Sequence, residues 1–246
     1  MIVTLLTDFG TADSYVAELK AAVLSLAPGV TLVDITHEVA PGGLRAAQYL
    51  LARTWRQFPR DTVHVAVVDP GVGTERRALA ARAEGHGFVA PDNGVLSFLP
   101  ADARFAALAV PPAASPTFHG RDVFAPAAAR MVLGTALEHL GPLVTDPYRS
   151  PLAVPRVEGG GWVGEVIHVD RFGTLVTNLP GNASVGGARL LVSGRDIGPL
   201  RRTFADVARG ALVAYAGSGG TIEVAVREGS AAAVLGVGVG AEARTA

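Results

Sequence analysis

The chain has 246 residues, a formal net charge of −1, 30 glycines, 16 prolines and no cysteine. That length buries enough apolar surface to fold without a covalent staple, and 49% hydrophobic against 17% charged residues is too apolar for intrinsic disorder. The missing cysteines exclude disulfides, thiolate catalysis and cysteine-ligated metals, and the near-neutral charge leaves no basic face for nucleic acid.

The first half alternates strand-like and helix-like segments. Ile2–Leu6 is a continuous apolar run of the kind that forms a parallel strand covered on both faces. Val16, Leu19, Val23 and Leu26 recur at helical spacing between Ser14 and Ala27, with Asp13 as an expected N-cap and Pro28-Gly29 as the stop. Val30–Ile35 reads as a strand, Leu44–Phe58 as a helix, and Val63–Val68 as a third buried strand running into Asp69-Pro70-Gly71-Val72-Gly73. This β-α-β-α-β order predicts a mostly parallel open sheet, whose ligands bind beyond the carboxyl ends of the strands. Asp8 and Asp69 both fall at such ends.

Residues 76–82 and 87–90 read as shorter strands, and a helix is expected from about Val123 to Leu140, capped by Asp122. The proline-punctuated stretch from Pro142 to Pro155 reads as a linker. After it come short β-rich runs separated by glycine-rich turns: Trp162–Val169, Leu175–Thr177, Arg189–Val192, Leu212–Tyr215, Thr221–Val226 and Ala232–Val237. The expectation is two domains: residues 1–150 as an α/β domain with a Rossmann-like, mostly parallel sheet, and residues 157–246 as an all-β, barrel-like domain. The longest apolar run, Ala231 to Ala241, is too short for a bilayer, so a cytoplasmic protein with no membrane partner is expected.

Several polar residues exceed what a fold needs. A carboxylate at a buried strand end demands a partner, although Asp8 and Asp69 also suit ordinary turns. Gly71-Val72-Gly73 lacks the third glycine of a dinucleotide fingerprint, Arg76 standing in its place, and no phosphate-binding P-loop is present. His37 and His119 each lie three residues from an aspartate, Asp34 and Asp122, a spacing that admits a metal site. No paired-histidine motif supports one, and no metal is expected. His37 reads as a satisfied histidine just beyond a strand, whereas turn chemistry leaves His119 unexplained.

Taken together, Leu6-Thr7-Asp8-Phe9-Gly10, Val33-Asp34-Ile35-Thr36-His37, Val68-Asp69-Pro70-Gly71-Val72-Gly73, Ala90-Pro91-Asp92-Asn93-Gly94 and Thr117-Phe118-His119-Gly120-Arg121-Asp122 resemble the S-adenosyl-L-methionine (SAM) hydrolases. These are the SAM hydroxide adenosyltransferases, relatives of the fluorinases and chlorinases. Asp170-Arg171-Phe172-Gly173, Thr177-Asn178 and the stretch from Gly217-Ser218 to Glu223 extend the resemblance over nearly the whole chain. It implies a cofactor-free enzyme that displaces methionine from C5′ of SAM with water, and a homotrimer with sites at subunit interfaces. It places water activation on Asp69, Arg76 and His119, with Arg76 orienting Asp69 and His119 taking the proton. It places the ribose diol on Asp8, the methionine ammonium on Asp13 and Asp170, and the adenine near Ser218, Glu223 and the backbone of Glu228. Thr174 stands where the family usually has a ribose-contacting asparagine. Where the fluorinase keeps a tyrosine and a serine near its halide, this chain has Asp69 and Gly120, and the fluorinase's extra loop is missing between Arg82 and Phe88. Hydrolysis is therefore expected over the alternatives of halide transfer or a non-catalytic adenosyl-binding module.

Overall fold

The computed structural model describes residues 1–150, 154–183 and 189–246. The chain divides into two compact units, Met1–Pro151 and Leu152–Ala246.

In the first unit, β1 (Ile2–Thr7), β2 (Thr31–Thr36), β3 (Val63–Val67), β4 (Ala78–Ala83), β5 (His86–Pro91), β6 (Arg104–Leu108) and β7 (Leu143–Val144) form one sheet in the order β2-β1-β3-β5-β4-β6-β7. The pairs β2-β1, β1-β3 and β3-β5 are parallel, and the remainder of the sheet is antiparallel. Side chains alternate across the sheet as the strand period requires. Val3, Leu5, Val63, Val65 and Val67 pack on one face with α1 (Tyr15–Leu26) and α3 (Ala125–Val132). Leu6, Ala66 and Val68 pack on the other with Leu51 of α2 (Leu44–Thr54) and Trp55.

Several local expectations change. Ser14, not Asp13, holds the N-cap position of α1, and its hydroxyl donates to Glu18 rather than capping the backbone. The long helix expected from Val123 to Leu140 is instead a π-turn at Gly120–Phe124, the eight-residue α3, and a 3-10 turn at Leu137–His139. Pro126 is accommodated only near the start of α3, and Gly134, at φ +94°, ends it. Asp122 lies inside the π-turn, where it accepts from Ser115 N at 2.8 Å, so it is not a cap. Residues 142–150 of the expected linker belong to the first unit: β7 pairs with β6, and Arg149 donates to the carbonyls of Ser97 and Leu99. Residues 151–153 of that stretch lie outside the described residues.

In the second unit, β9 (Gly161–Val169), β10 (Leu175–Pro180), β11 (Arg189–Val192), β12 (Arg195–Arg201), β13 (Leu212–Ala216), β14 (Thr221–Val226) and β15 (Glu242–Thr245) close into a seven-stranded barrel. The ring runs β10-β14-β13-β12-β11-β15-β9 and returns to β10, while β8 (Arg156–Glu158) pairs on the outside of β9. Its core holds Val166, Leu175, Leu190, Ile222 and Val224. The expected strand Ala232–Val237 is a helix, α4 (Ala231–Leu235). Its signals were present: the Ser230 side chain accepts from Ala233 N, and Gly236 adopts the left-handed conformation that ends it. No helix among the described residues is long and apolar enough to cross a membrane.

Candidate active site

The parallel register sets the first layer of the site. Thr7 pairs with Val67, so Asp8 and Asp69 leave neighbouring strands at the same sheet edge. From Asp69 the chain turns twice, with Val72 N donating to the Asp69 carbonyl and Thr74 N to the Gly71 carbonyl, before it enters β4. Gly73 lies at φ +76°, and a Cβ there would sit 2.5 Å from the Pro116 carbonyl oxygen. Only glycine permits both that conformation and that approach, and the contact brings the 69–76 turn against the loop that carries His119.

The result is a side-chain triad centred on Arg76. Arg76 donates from Nε to Asp69 Oδ1 at 3.0 Å and from Nη2 to Asp69 Oδ2, a bidentate pair. The same Nη2 lies 2.9 Å from His119 Nδ1. The side chains of Asp69 and Arg76 are 4% and 9% exposed, so water screens the pair weakly. Arg76 Nη1 is buried without a partner among the described residues, which leaves its two N–H donors for a water or ligand. Burial, then the adjacent Arg76 cation, lowers the pKa of His119, so its ring is neutral near pH 7. Because a guanidinium only donates, Nδ1 must be the acceptor, and the neutral ring carries its proton on Nε2.

Around the triad, Arg121 donates to Asp122 and, through Nη1, to Glu18 of α1 at 2.8 Å. That clamp joins the start of α1 to the His119 loop. Phe9, Tyr15 and Phe118 meet edge to face, and a Cβ on Gly120 would lie 3.1 Å from Phe9 Cζ, so the Asp8 turn packs directly beside His119. Asp8 accepts from Gly42 N at 2.8 Å. Asp13 is exposed just ahead of Tyr15. Asp92 holds structure: it accepts from Arg77 and from Tyr148 N, both at 2.7 Å. No group of three or more histidine, aspartate or glutamate side chains among the described residues is placed to hold a metal ion.

In the second unit, Asp170 Oδ1 accepts from Phe172 N at 2.9 Å and Thr174 N at 2.8 Å in the turn between β9 and β10. Thr174 and Glu223 both reach Tyr215, whose hydroxyl donates to Glu223 Oε2 at 3.0 Å. Burial, then the Glu223 carboxylate, raises the tyrosine pKa. Tyr215 gave no signal in the sequence, where it is one aromatic in an ordinary strand pattern. Ser218 is exposed in the β13–β14 turn. Glu228 stands apart from that cluster: it is exposed, at φ +62°, and pairs with Arg209 Nε at 3.0 Å.

Residues 3–141 match the SAM hydroxide adenosyltransferase N-terminal domain, and residues 164–244 match its C-terminal domain. The chain belongs to the SAM hydroxide adenosyltransferase family. It is 46% identical to the (R)-S-adenosyl-L-methionine hydrolase of Thermus thermophilus over 97% of each chain, and 30% identical to a fluorinase of an Actinoplanes species over 91% of this chain and 90% of that one. The crystal structure of a conserved protein from Thermotoga maritima superposes with a TM-score of 0.91 at 35% identity, covering 100% of this chain and 99% of the other.

Proposed function

We propose that the protein hydrolyses S-adenosyl-L-methionine to adenosine and L-methionine, as a cytoplasmic enzyme that needs no metal or other cofactor. The observation that carries the mechanism is the bidentate Asp69–Arg76 pair joined to His119. The substrate sulfonium leaves as a neutral thioether, so the demand falls on the nucleophile. Holding a water about 3–3.5 Å from C5′ and in line with the C–S bond contributes several kcal/mol.

Asp69 oxygens retain acceptor sites beyond those Arg76 fills, and they take a hydrogen bond from the water. The C5′–O bond forms as the C5′–S bond breaks, the electron pair stays on sulfur, and the water's proton passes to Asp69 and then to solvent. The bond at Nδ1 changes the role expected of His119. With its lone pair held by Arg76, the ring orients the guanidinium and presents Nε2–H, and it takes no proton. Arg76 holds Asp69 and, through Nη1, favours hydroxide character in the water.

In this reading Asp8 holds the ribose diol, and Asp13 and Asp170 hold the methionine ammonium. Thr174, Ser218, Glu223 and the Glu228 backbone lie toward the ribose and adenine. A homotrimer whose copies share their sites follows from the family resemblance. Mixing Asp69→Asn with Asp170→Asn protein should restore part of the activity if the two residues serve one site from different copies.

Two features favour water over halide. A carboxylate at Asp69 repels an anion, and Glu84-Gly85, with φ of 49° and 83°, closes β4 to β5 by a two-residue turn with no inserted loop. Incubation with SAM should yield adenosine and methionine, unaffected by chelator and with no 5′-chloro-5′-deoxyadenosine in chloride. Recovery of intact SAM after long incubation would overturn the assignment.

A further inference from the structure

The Asp34–His37 motif is used by no step above, yet its side chains join β1, β2 and α1. His37 is 4% exposed. Its Nδ1 lies 2.8 Å from Thr7 Oγ1, the last residue of β1. That hydroxyl oxygen also accepts from Phe9 N at 3.2 Å, closing the turn around Asp8. On the other flank of Asp8, Gly10 N donates to the His37 carbonyl at 2.7 Å. One residue therefore pins the chain on both sides of Asp8, by side chain before it and by main chain after it. Gly42, on the same β2–α2 connection, fixes the Asp8 carboxylate itself.

The far side of the ring is braced in turn. Nε2 lies 3.1 Å from Asp34 Oδ1, off the line of a good hydrogen bond, and Asp34 Oδ2 is 2.6 Å from Nζ of Lys20, the chain's single lysine. With Thr7 O–H donating to Nδ1, the ring proton lies on Nε2, facing Asp34 Oδ1.

We propose that His37 is a positioning residue for substrate binding: through Thr7 and the Gly10 amide it sets the direction of the Asp8 carboxylate, and so the protein's preference for an intact ribose diol. This rests on the reading of Asp8 as the ribose-binding carboxylate. A carboxylate swung out of line keeps its charge but loses the paired contact to two hydroxyls, so the loss falls on ligands that carry both. A histidine that only fills space would weaken all ligands alike.

The test is calorimetric titration of the purified protein with adenosine and with 2′-deoxyadenosine, which needs no turnover. The unmodified protein should prefer adenosine by about tenfold or more, the worth of a hydrogen bond to a charged group. His37→Asn, whose amide oxygen can still accept from Thr7, should keep the preference. His37→Leu and the milder Thr7→Val should bring it close to unity while 2′-deoxyadenosine still binds, and adding His37→Leu to Asp8→Asn should change nothing further. A full preference in both His37→Leu and Thr7→Val, an equal loss for both nucleosides, or no preference in the unmodified protein would each overturn the proposal. Failure of the hydrolase reading shows separately, as intact SAM in the product assay.

Discussion

At the amino end of β3, His64 is wholly buried between Thr4 and His86, with Nδ1 2.8 Å from the Thr4 hydroxyl and Nε2 3.2 Å from His86 Nδ1. Beyond the carboxyl end of the same strand, His119 is nearly as buried but bonds a guanidinium, which in turn holds a carboxylate. Burial lowers the pKa of both rings, to about 3 for His64, where His86 adds to the effect. At the first end both ring nitrogens have uncharged partners, and Trp55, Phe58 and Phe88 surround the pair. At the second end charges are packed together, and the Nη1 donors of Arg76 are left over. A perturbed histidine is thus no mark of chemistry by itself; the charged partners and the unspent donor separate a site from a core.

The largest test of that contrast is Asp69→Asn. The amide keeps the shape but loses the charge that faces Arg76, so turnover of SAM should fall by about 10³-fold, and the melting temperature should also fall because Arg76 is left a buried unpaired cation. A fall of only a few fold would remove Asp69 from the chemistry. The reciprocal variant, His64→Ala, leaves a cavity and an unpaired Thr4 hydroxyl, with an expected loss of about 3 kcal/mol in urea unfolding. Its turnover per folded molecule should match the unmodified protein, and a specific loss of activity would show that the two ends are coupled.

Acid should separate the two histidines without mutation. His64 has a folded pKa of about 3 against an ordinary 6.5, so the unfolded chain binds the extra proton between those values. Stability from this group is complete above about pH 6.5 and declines as pH falls toward 3, by about 2–3 kcal/mol at pH 4.5. Urea titrations of the unmodified protein and of His64→Ala should differ in this slope. His119 contributes an activity limb: its pKa is also lowered, so kcat should hold down to a pH below the ordinary histidine range and then fall as a proton at Nδ1 meets Arg76. An acid limb that persists in His119→Asn would assign it elsewhere.

Much of this arrangement was legible in the sequence, for physical reasons. Continuous apolar strands such as Val63–Val67 declare themselves by burial on both faces, and a strand order with crossovers sends their ends to one edge, which is how Asp8 and Asp69 could be placed together. The short helix α4 is hidden in the sequence because an alanine- and valine-rich run fits strand and helix alike, and the deciding signals are single residues, Ser230 and Gly236. The tautomer of His119 was invisible because it depends on an arginine 43 residues away in the chain. The sequence places His37 just beyond a strand, but that its Nδ1 partner and carbonyl flank Asp8 is revealed only by the pairing of β1 with β2.

The smallest effect lies at the rim of the histidine core, where Arg56 stacks 4.1 Å over Trp55 and makes two hydrogen bonds to Glu84. That ion pair is solvent-exposed, and it weakens as salt screens it. Glu84 also sits at φ 49°, the first position of a two-residue turn completed by Gly85 at φ 83°, a geometry in which asparagine followed by glycine is favoured. Glu84→Asn therefore exchanges a screened ion pair for a relaxed turn. The two changes oppose each other, so melting at low salt should move little in either direction, while the dependence of melting on salt should shrink. Turnover should not change, because nothing at this rim reaches the triad. A salt response identical to that of the unmodified protein would show that the Arg56–Glu84 pair adds nothing measurable, and that the cation over Trp55 alone covers this end of the core.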